Sequence, residues 1–388
     1  MENAALLVGL GMQGQAVLHD LAASGEVSRI VVADSRADLA SRLSRYPSGK
    51  VTGREVDAED ESALAALMRE ADIVIEALPG PFAFRMGRLA AECGVPLVSS
   101  MYFDGPDEEL RQLDRKAKEK GIVLLSEFGL DPGLDLILAK RAIGELDTVR
   151  EFYSYGAGLP DADARANPLQ YKFSWSVMGV MRSYRRSARI VSHGEARDIA
   201  AEEIFEARHC HTLDVAGIGP LECFPNGDSV RYAELLGIRD SVQELGRYTC
   251  RYPGHCAFWD VAVKSAFLDG EAMAFTASLL ASQEQFQYAA GERDLTLIRV
   301  DARGMRRGKN AQVIFELIDR RDLETGLTSM QRTVGFTMSL GARLILSGKL
   351  ATPGLLLPMD VPYESVLPAL ERHGIRVQTT PSAIRLPE

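Results

Sequence analysis

Three glycines near the head of the chain carry the sharpest chemical signal. Gly9-Leu10-Gly11-Met12-Gln13-Gly14 follows the apolar run Ala4-Ala5-Leu6-Leu7-Val8 without a gap, and from Gln15 the residues Val17, Leu18 and Leu21 recur at helical spacing until Gly25. Strand, glycine turn and helix in that order suit a dinucleotide. Gly9 permits the tight turn, Gly11 lets the backbone approach a pyrophosphate, and Gly14 lets the helix pack close to the strand. The helix N-terminus offers free N–H groups and the positive end of its dipole to the phosphates. The second strand, Arg29-Ile30-Val31-Val32-Ala33, ends on Asp34, twenty residues after Gly14. A carboxylate there accepts hydrogen bonds from the ribose hydroxyls and repels a 2′-phosphate, which favours NAD. Arg36 has the charge to clamp that phosphate instead, so NADP stays open. Met12, Gln13, Ser35 and Asp57 complete the expected cofactor loops. The alternative is a glycine turn that merely joins strand to helix.

These residues need a sheet to hold them, and βα alternation supplies one. Lys50 to Val56 is predicted as a third strand ending at Asp57, Glu61 to Arg69 as a helix, and Asp72 to Ala77 as a fourth strand. That strand runs into Leu78-Pro79-Gly80-Pro81, a loop at the carboxyl end of the sheet, where open α/β sheets bind their ligands. Phe82 to Cys93 reads as helix, Val95 to Ser99 as strand, Asp107 to Lys120 as a charged helix stopped by Gly121, and Ile122 to Leu125 as a sixth strand. A Rossmann doubly wound parallel sheet is then complete by residue 127. Beyond it Gly129-Leu130-Asp131-Pro132-Gly133 opens a helix through Ile143, Val149 to Tyr155 alternates, and Gly156 to Pro160 reads as a loop. Strand-like runs at 247–252, 260–266, 295–302 and 311–319, with helices near 176–187, 200–207 and 277–289, give a second α+β domain on a mixed sheet. Apolar helices follow at 333–347 and 365–373.

With 388 residues, 46% of them apolar and 25% charged, the chain has ample material for a large core and two or three domains. A net charge of −10 with both signs interspersed argues against nucleic acid and against a membrane surface. No apolar run is long enough for a transmembrane helix. The chain begins directly on the cofactor strand with no signal peptide, which makes a cytoplasmic location the expectation. Five cysteines at irregular spacing suggest free thiols. His209-Cys210-His211 and His255-Cys256 offer metal-ligand types without metal-ligand spacing, so no metal is expected.

The stretches Ser126-Glu127-Phe128-Gly129-Leu130-Asp131-Pro132-Gly133, Tyr155 to Pro160 and Asn167-Pro168-Leu169-Gln170-Tyr171-Lys172-Phe173-Ser174-Trp175-Ser176 resemble the saccharopine dehydrogenase family. The likeness continues through Gly179-Val180, Pro225 to Ser229, Arg251-Tyr252-Pro253-Gly254 and Gly291 to Leu295, and ends in Gly348 to Leu350 and Pro353 to Met359. It covers almost the whole chain. The resemblance implies a dinucleotide-binding domain over 1–127, joined by C-terminal helices over about 332–388, and a substrate-binding and oligomerisation domain over 128–331. It implies a homo-oligomer, expected as a dimer. It further implies nicotinamide-dependent oxidation or reduction at a C–N bond of a small amino-acid derivative. Two branches stand close. Saccharopine reductase joins aminoadipate semialdehyde to glutamate through an imine and reduces it; lysine 6-dehydrogenase oxidatively deaminates the lysine side chain. Asp131-Pro132-Gly133 and Tyr171 to Ser176 look like the first, Asp34 and Gly254-His255 like the second. A polyamine-forming relative that reduces carboxylated imines is a third. Gly156 and Gly227 depart from the fungal saccharopine reductases, which have a cysteine and an arginine at those places.

Hydride transfer at a C=N bond needs the nicotinamide face held against the carbon, a proton source for the nitrogen, and cations for substrate carboxylates. Tyr102 follows the fifth strand and its phenol can donate or relay a proton; the resembling enzymes have a tyrosine there. Interdomain packing is its alternative role. Asp131 is an acid–base or substrate-amine candidate, or else a helix N-cap. Lys172 and Arg251 are the basic residues within the resembling motifs, and Arg251 can fork onto a carboxylate. Arg231 could replace the basic residue missing at 227. An ordinary salt bridge is the alternative for each. His255 could act as a base near neutral pH, or be structural. Leu78, Pro79 and Gly80 are expected to line the nicotinamide ribose, and Trp175 to pack. The rival from another class is a nucleotide sensor that binds the cofactor without turnover.

Overall fold

The computed structural model describes residues 3–47 and 49–382. In chain order the first elements are β1 (Ala4–Val8), α1 (Met12–Ala23), β2 (Arg29–Asp34), α2 (Leu39–Leu43), β3 (Val51–Glu55), α3 (Glu61–Met68), β4 (Ile73–Glu76), α4 (Ala83–Cys93), β5 (Leu97–Ser99), α5 (Asp107–Lys120), β6 (Val123–Leu125) and α6 (Leu134–Ile143). β1 is buried along its whole length because it is flanked in parallel by β2 and β4 and covered on both faces. Leu6, Val8, Leu64, Met68, Leu89 and Leu124 belong to one core cluster on this sheet. Burying each such side chain contributes about 1.5–3 kcal/mol over leaving it exposed. The helices carry local stop and start signals. Asp60 caps α3 by accepting from Ala63 N–H at 3.0 Å, and α4 and α5 end on Gly94 and Gly121 with left-handed φ of 73° and 67°.

The second group of elements begins with β7 (Thr148–Pro160), α7 (Val177–Ser183), β8 (Ala188–Ser192), β9 (Glu195–Ile199), β10 (His211–Val215), β11 (Gly219–Pro225), α8 (Ser229–Leu235) and β12 (Glu244–Arg251). It continues with α9 (His255–Lys264), α10 (Gly270–Ser282), β13 (Asp294–Arg306) and β14 (Lys309–Arg320). Three of these differ from the sequence expectation. β7 runs through Gly156 to Pro160 instead of ending in a loop, because that stretch pairs residue for residue with β13. Gly158 lies close beneath Met330: a Cβ would stand 2.7 Å from its methyl, which would have to shift. Residues 260–264 are helix rather than strand, with a turn at 265–266, since Cys256, Trp259, Ala262 and Val263 recur at helical spacing on the buried face of α9. Residues 200–207 form successive tight turns rather than a helix; Ile204 and Phe205, adjacent and both buried, anchor them to the core.

The chain then returns through α11 (Ser329–Leu346), β15 (Gly354–Leu356), α12 (Tyr363–Glu371) and β16 (Val377–Ser382). β15 pairs in parallel with β6 and makes the first sheet seven-stranded, in the order β15-β6-β5-β4-β1-β2-β3. The second sheet is nine-stranded and mixed, with β12 and β7 parallel and the other neighbours antiparallel. By contact the chain divides into Met1–Ile137 with Gln331–Gly374, and Leu138–Met330 with Ile375–Glu388. The expected assignment of 332–388 to the dinucleotide domain thus differs for 377–382, which pair with β14. β14 presents an open edge there, and the run Val377-Gln378-Thr379-Thr380 is β-branched enough to fill it. Residues 383–388 of that range lie outside the described ones. Among the described residues no helix is long and apolar enough to cross a membrane.

Candidate functional site

The three glycines of the first turn prove to have different reasons. Gly9 has φ 95° and its N–H donates to Ala33 O at 2.8 Å, which ties the turn to β2. A Cβ on Gly14 would lie 2.0 Å from Gly9 O. Gly11 is different: its φ is −71°, and nothing stands within 4 Å of where a Cβ would be. The chain's own packing does not require glycine there, and the open space leaves room for a ligand to approach the backbone. α1 begins at this point with no side-chain cap and no acid in its first turn, so its positive end is uncompensated. The residues present therefore fit a dinucleotide pyrophosphate. Met12 is half-exposed, and the Gln13 Oε1 is buried without a hydrogen-bond partner among the described residues.

Asp34 closes β2 and clamps the loop it would serve. Its carboxylate accepts Leu10 N–H at 2.6 Å and Arg36 N–H at 3.0 Å, with Arg36 Nε 4.0 Å away. Ser35 and Arg36 are exposed beside it. Asp57 is exposed as well and spends one oxygen on Glu59 N–H at 2.9 Å. After β4, Leu78 and Pro79 lead into a single 3₁₀ turn at Gly80–Phe82. Tyr102 lies in the loop after β5. Asp131 lies in a turn so tight that a Cβ on Gly133 would meet Gly129 O at 2.1 Å. The N-cap role foreseen for Asp131 is not realised: α6 starts only at Leu134, and Asp135 takes the Gly133 N–H at 2.8 Å. Sequence reasoning missed Glu76, which ends β4 with no exposed surface. Burial pushes its carboxyl up to about 7, against hydrogen bonds from Ser99 and Leu78 that pull it down. The available signal was an acid closing the otherwise apolar strand Ile73-Val74-Ile75-Glu76.

In the second unit the structure brings Tyr171, Tyr184, Arg251 and His255 together. Arg251 is 4% exposed and its guanidinium stacks 4.8 Å from the Tyr171 ring centre. It donates to Cys250 O at 2.9 Å, its Nε has no partner, and among the described residues no carboxylate lies within ion-pair distance of it. His255 opens α9, and its Nε2 sits 2.8 Å from the Tyr184 hydroxyl. Burial, and then the Arg251 charge, hold its imidazole well below the usual histidine range. His255, read from the sequence as a base or as structural, is thus a buried ring of weakened basicity. The Lys172 ammonium meets Glu292 Oε2 at 2.5 Å and lies over the Tyr288 ring, and Glu292 also takes Ala289 N–H. Arg231 is exposed, donates to the Tyr232 hydroxyl at 3.2 Å and lies over that ring. The side chain nearest a Gly227 Cβ is Arg186, at 4.0 Å. Trp175 packs over Gly179, where a Cβ would be 2.5 Å from its ring. Tyr184 was missed because nothing near it in sequence marks it.

Comparison with known proteins agrees with both halves. Residues 5–125 match the family model described as "Saccharopine dehydrogenase NADP binding domain", and residues 129–375 match "Saccharopine dehydrogenase C-terminal domain". A saccharopine dehydrogenase [NADP(+), L-glutamate-forming] of Saccharomyces cerevisiae is 31% identical over 69% of this chain and 59% of its own. The α-aminoadipic semialdehyde synthase of Arabidopsis thaliana is 25% identical over 83% of this chain, and the chain spans only 38% of that protein. Among solved structures, the apo saccharopine dehydrogenase (L-Glu forming) of Saccharomyces cerevisiae superposes with a TM-score of 0.83 at 24% identity, covering 98% of this chain and 100% of that one, which establishes the shared fold. With one model matching the glycine-turn sheet and the other the whole of the following domain, the chain belongs to the saccharopine dehydrogenase family.

Proposed function

We propose that this chain is an NAD(P)-dependent oxidoreductase acting on the C–N bond of an amino-acid derivative, with saccharopine as its substrate. The observation that carries the substrate class is Arg251, a buried guanidinium without a carboxylate of its own. A cation held dry and pre-stacked on Tyr171 suits a substrate carboxylate. Bound nicotinamide supplies or accepts the hydride. The chain's own residues do the rest. The Gly11 backbone and the α1 N-terminus bind pyrophosphate, Asp34 binds ribose hydroxyls, and Leu78 to Gly80 line the nicotinamide ribose. The Tyr102 phenol relays the proton for the nitrogen, and Asp131 contacts the substrate amine. Lys172, paired with Glu292, serves structure. NAD is the preferred cofactor on the strength of Asp34; Arg36, half-exposed beside that carboxylate, supports NADP as the second reading.

Lysine 6-dehydrogenase activity is the second substrate reading, and Gly227 favours it, because lysine has fewer carboxylates to hold. The deciding assay gives NAD⁺ and NADP⁺ in turn with saccharopine and with L-lysine and follows reduced-nicotinamide absorbance. Saccharopine alone is expected to turn over. Turnover of lysine with release of ammonia selects the second reading, and cofactor binding without any turnover selects the sensor. A homodimer in the cytoplasm is the proposed setting. Sedimentation as a monomer, or a fluorescent fusion found in an organelle, would count against it.

A further inference from the structure

Glu76 is buried without exposed surface, and a carboxylate without water has to be held by hydrogen bonds. Its two oxygens are held by different loops. Oε1 accepts Leu78 N–H at 2.7 Å, at the start of the stretch that continues into Pro79 and Gly80. Oε2 accepts the Ser99 hydroxyl at 2.5 Å. Ser99 Oγ in turn accepts Met101 N–H at 3.0 Å. The backbone extends the chain of bonds: Phe128 N–H donates to Ser99 O at 2.8 Å and Glu127 N–H to Met101 O at 3.1 Å. The carboxylate thus joins the loop that leaves β4, which carries Pro79-Gly80, to the one that leaves β5, which carries Tyr102, and backbone bonds tie the latter to the loop after β6, which carries Asp131. The glycine turn has two anchors of its own on β2, Gly9 N–H on Ala33 O and Leu10 N–H on Asp34, besides the bond of Ala77 N–H to Val8 O that joins it to the end of β4.

We propose that Glu76 is a positioning residue for the nicotinamide half of the dinucleotide site, acting through Leu78 N–H and Ser99 Oγ on those three loops. The inference rests on the oxidoreductase reading above. An aliphatic side chain in its place leaves the Leu78 N–H and the Ser99 O–H without an acceptor in a dry site, so both must move to find one. The adenosine half of the site, built on Gly9 to Gly14 and Asp34, keeps its own anchors. The effect is therefore split within one ligand, which general loosening of the fold does not produce.

The test is calorimetric titration of wild type, E76Q, E76L and S99A with whichever reduced dinucleotide wild type binds more tightly. A parallel titration uses its adenosine fragment, ADP, or adenosine 2′,5′-bisphosphate if the phosphorylated cofactor is the tighter. E76L is expected to weaken the dinucleotide by about tenfold or more and the fragment by less than about twofold. S99A, which cuts one of the two ties, should show the same split at about three- to fivefold, and E76Q, which keeps one acceptor oxygen, should fall at or below S99A. If E76L does not fold, S99A and E76Q carry the test. Equal losses for both ligands, or dinucleotide affinities within twofold of wild type throughout, overturn the inference alone. A wild type that binds neither ligand overturns the oxidoreductase reading and the inference with it.

Discussion

The glycine turn of the first unit and the buried cluster around Arg251 in the second, the two sites proposed above, are built by opposite means. The turn works by subtraction. Gly9, Gly11 and Gly14 withhold side chains within a stretch of six residues, and the backbone N–H groups do the binding. The cluster works by addition. It collects Tyr171, Tyr184, Arg251 and His255 from distant parts of the chain; the Tyr184 and His255 that meet at 2.8 Å are 71 positions apart. A site made of omissions is local and leaves a spacing pattern. A site made of large side chains is assembled by the sheet and leaves none.

Substitutions within the turn should break the contrast most visibly. Gly14→Ala places a Cβ 2.0 Å from Gly9 O, so the loop must rebuild; dinucleotide affinity should fall by more than about a hundredfold and the melting temperature by several degrees. Gly11→Ala should leave the melting temperature unchanged yet weaken the dinucleotide by about tenfold or more, because its Cβ meets only the space the ligand enters. If G11A melts early as well, the open space has a structural use and the distinction between the glycines is lost. In the cluster, Arg251→Leu should raise the substrate KM by about a hundredfold while the cofactor Kd stays put, the size expected for losing a desolvated charge pair. A cofactor Kd that moves with it would show that the two sites are not separable.

Smaller effects sharpen the comparison. Lys172→Met should cost about 2 kcal/mol in denaturant unfolding and leave KM within about threefold, since it breaks a partly buried ion pair and no substrate contact. A larger KM change would return Lys172 to the substrate site. The smallest expected effect is a slope of stability with pH. Glu76 is raised from an ordinary 4.5 to about 7, first by burial. A raised acid binds its proton more tightly folded than unfolded, so stability falls as pH rises between those values and levels off above them. Asp294, raised from 3.8 to about 6 by burial, adds the same sign over a lower window. E76Q should flatten the upper part of the melting curve against pH; an identical slope in E76Q would mean that Glu76 ionises as an exposed acid does.

Legibility in the sequence follows the same division. The dinucleotide sheet could be read strand by strand because apolar runs, glycine stops and acidic helix starts are local signals, and the family resemblance rested on contiguous motifs. What escaped depended on tertiary partners. β15 is three residues long and is a strand only because β6 has a free edge beside it. Gly156 to Pro160 has loop composition but lies buried along β13. The helix at 255–264 carried a Val-Ala-Val run that imitates alternation. At the sites, Arg251 and the glycines were visible as residue types. Glu76 and Tyr184 were not, since their importance lies in bonds made across strands, and the neutrality of His255 follows from burial that no spacing announces.

The way α11 lies against α1 has a consequence for how the molecule is made. Gln331 holds the Met12 carbonyl at 2.8 Å across 319 positions of sequence, a Cβ on Gly335 would stand 2.5 Å from that of Ala16, and Ser339 bonds Asp20. On a ribosome adding about 5–20 residues per second, the nascent glycine turn waits roughly 15–60 s before the helix that braces it emerges. Until then one flank of α1 is bare and open to chaperones. A chain stopped at residue 330 is expected to bind no dinucleotide, and binding by such a chain would show that α1 needs no late partner. Affinity for the cofactor is then expected only once α11 has been made, some three hundred residues after the turn it braces.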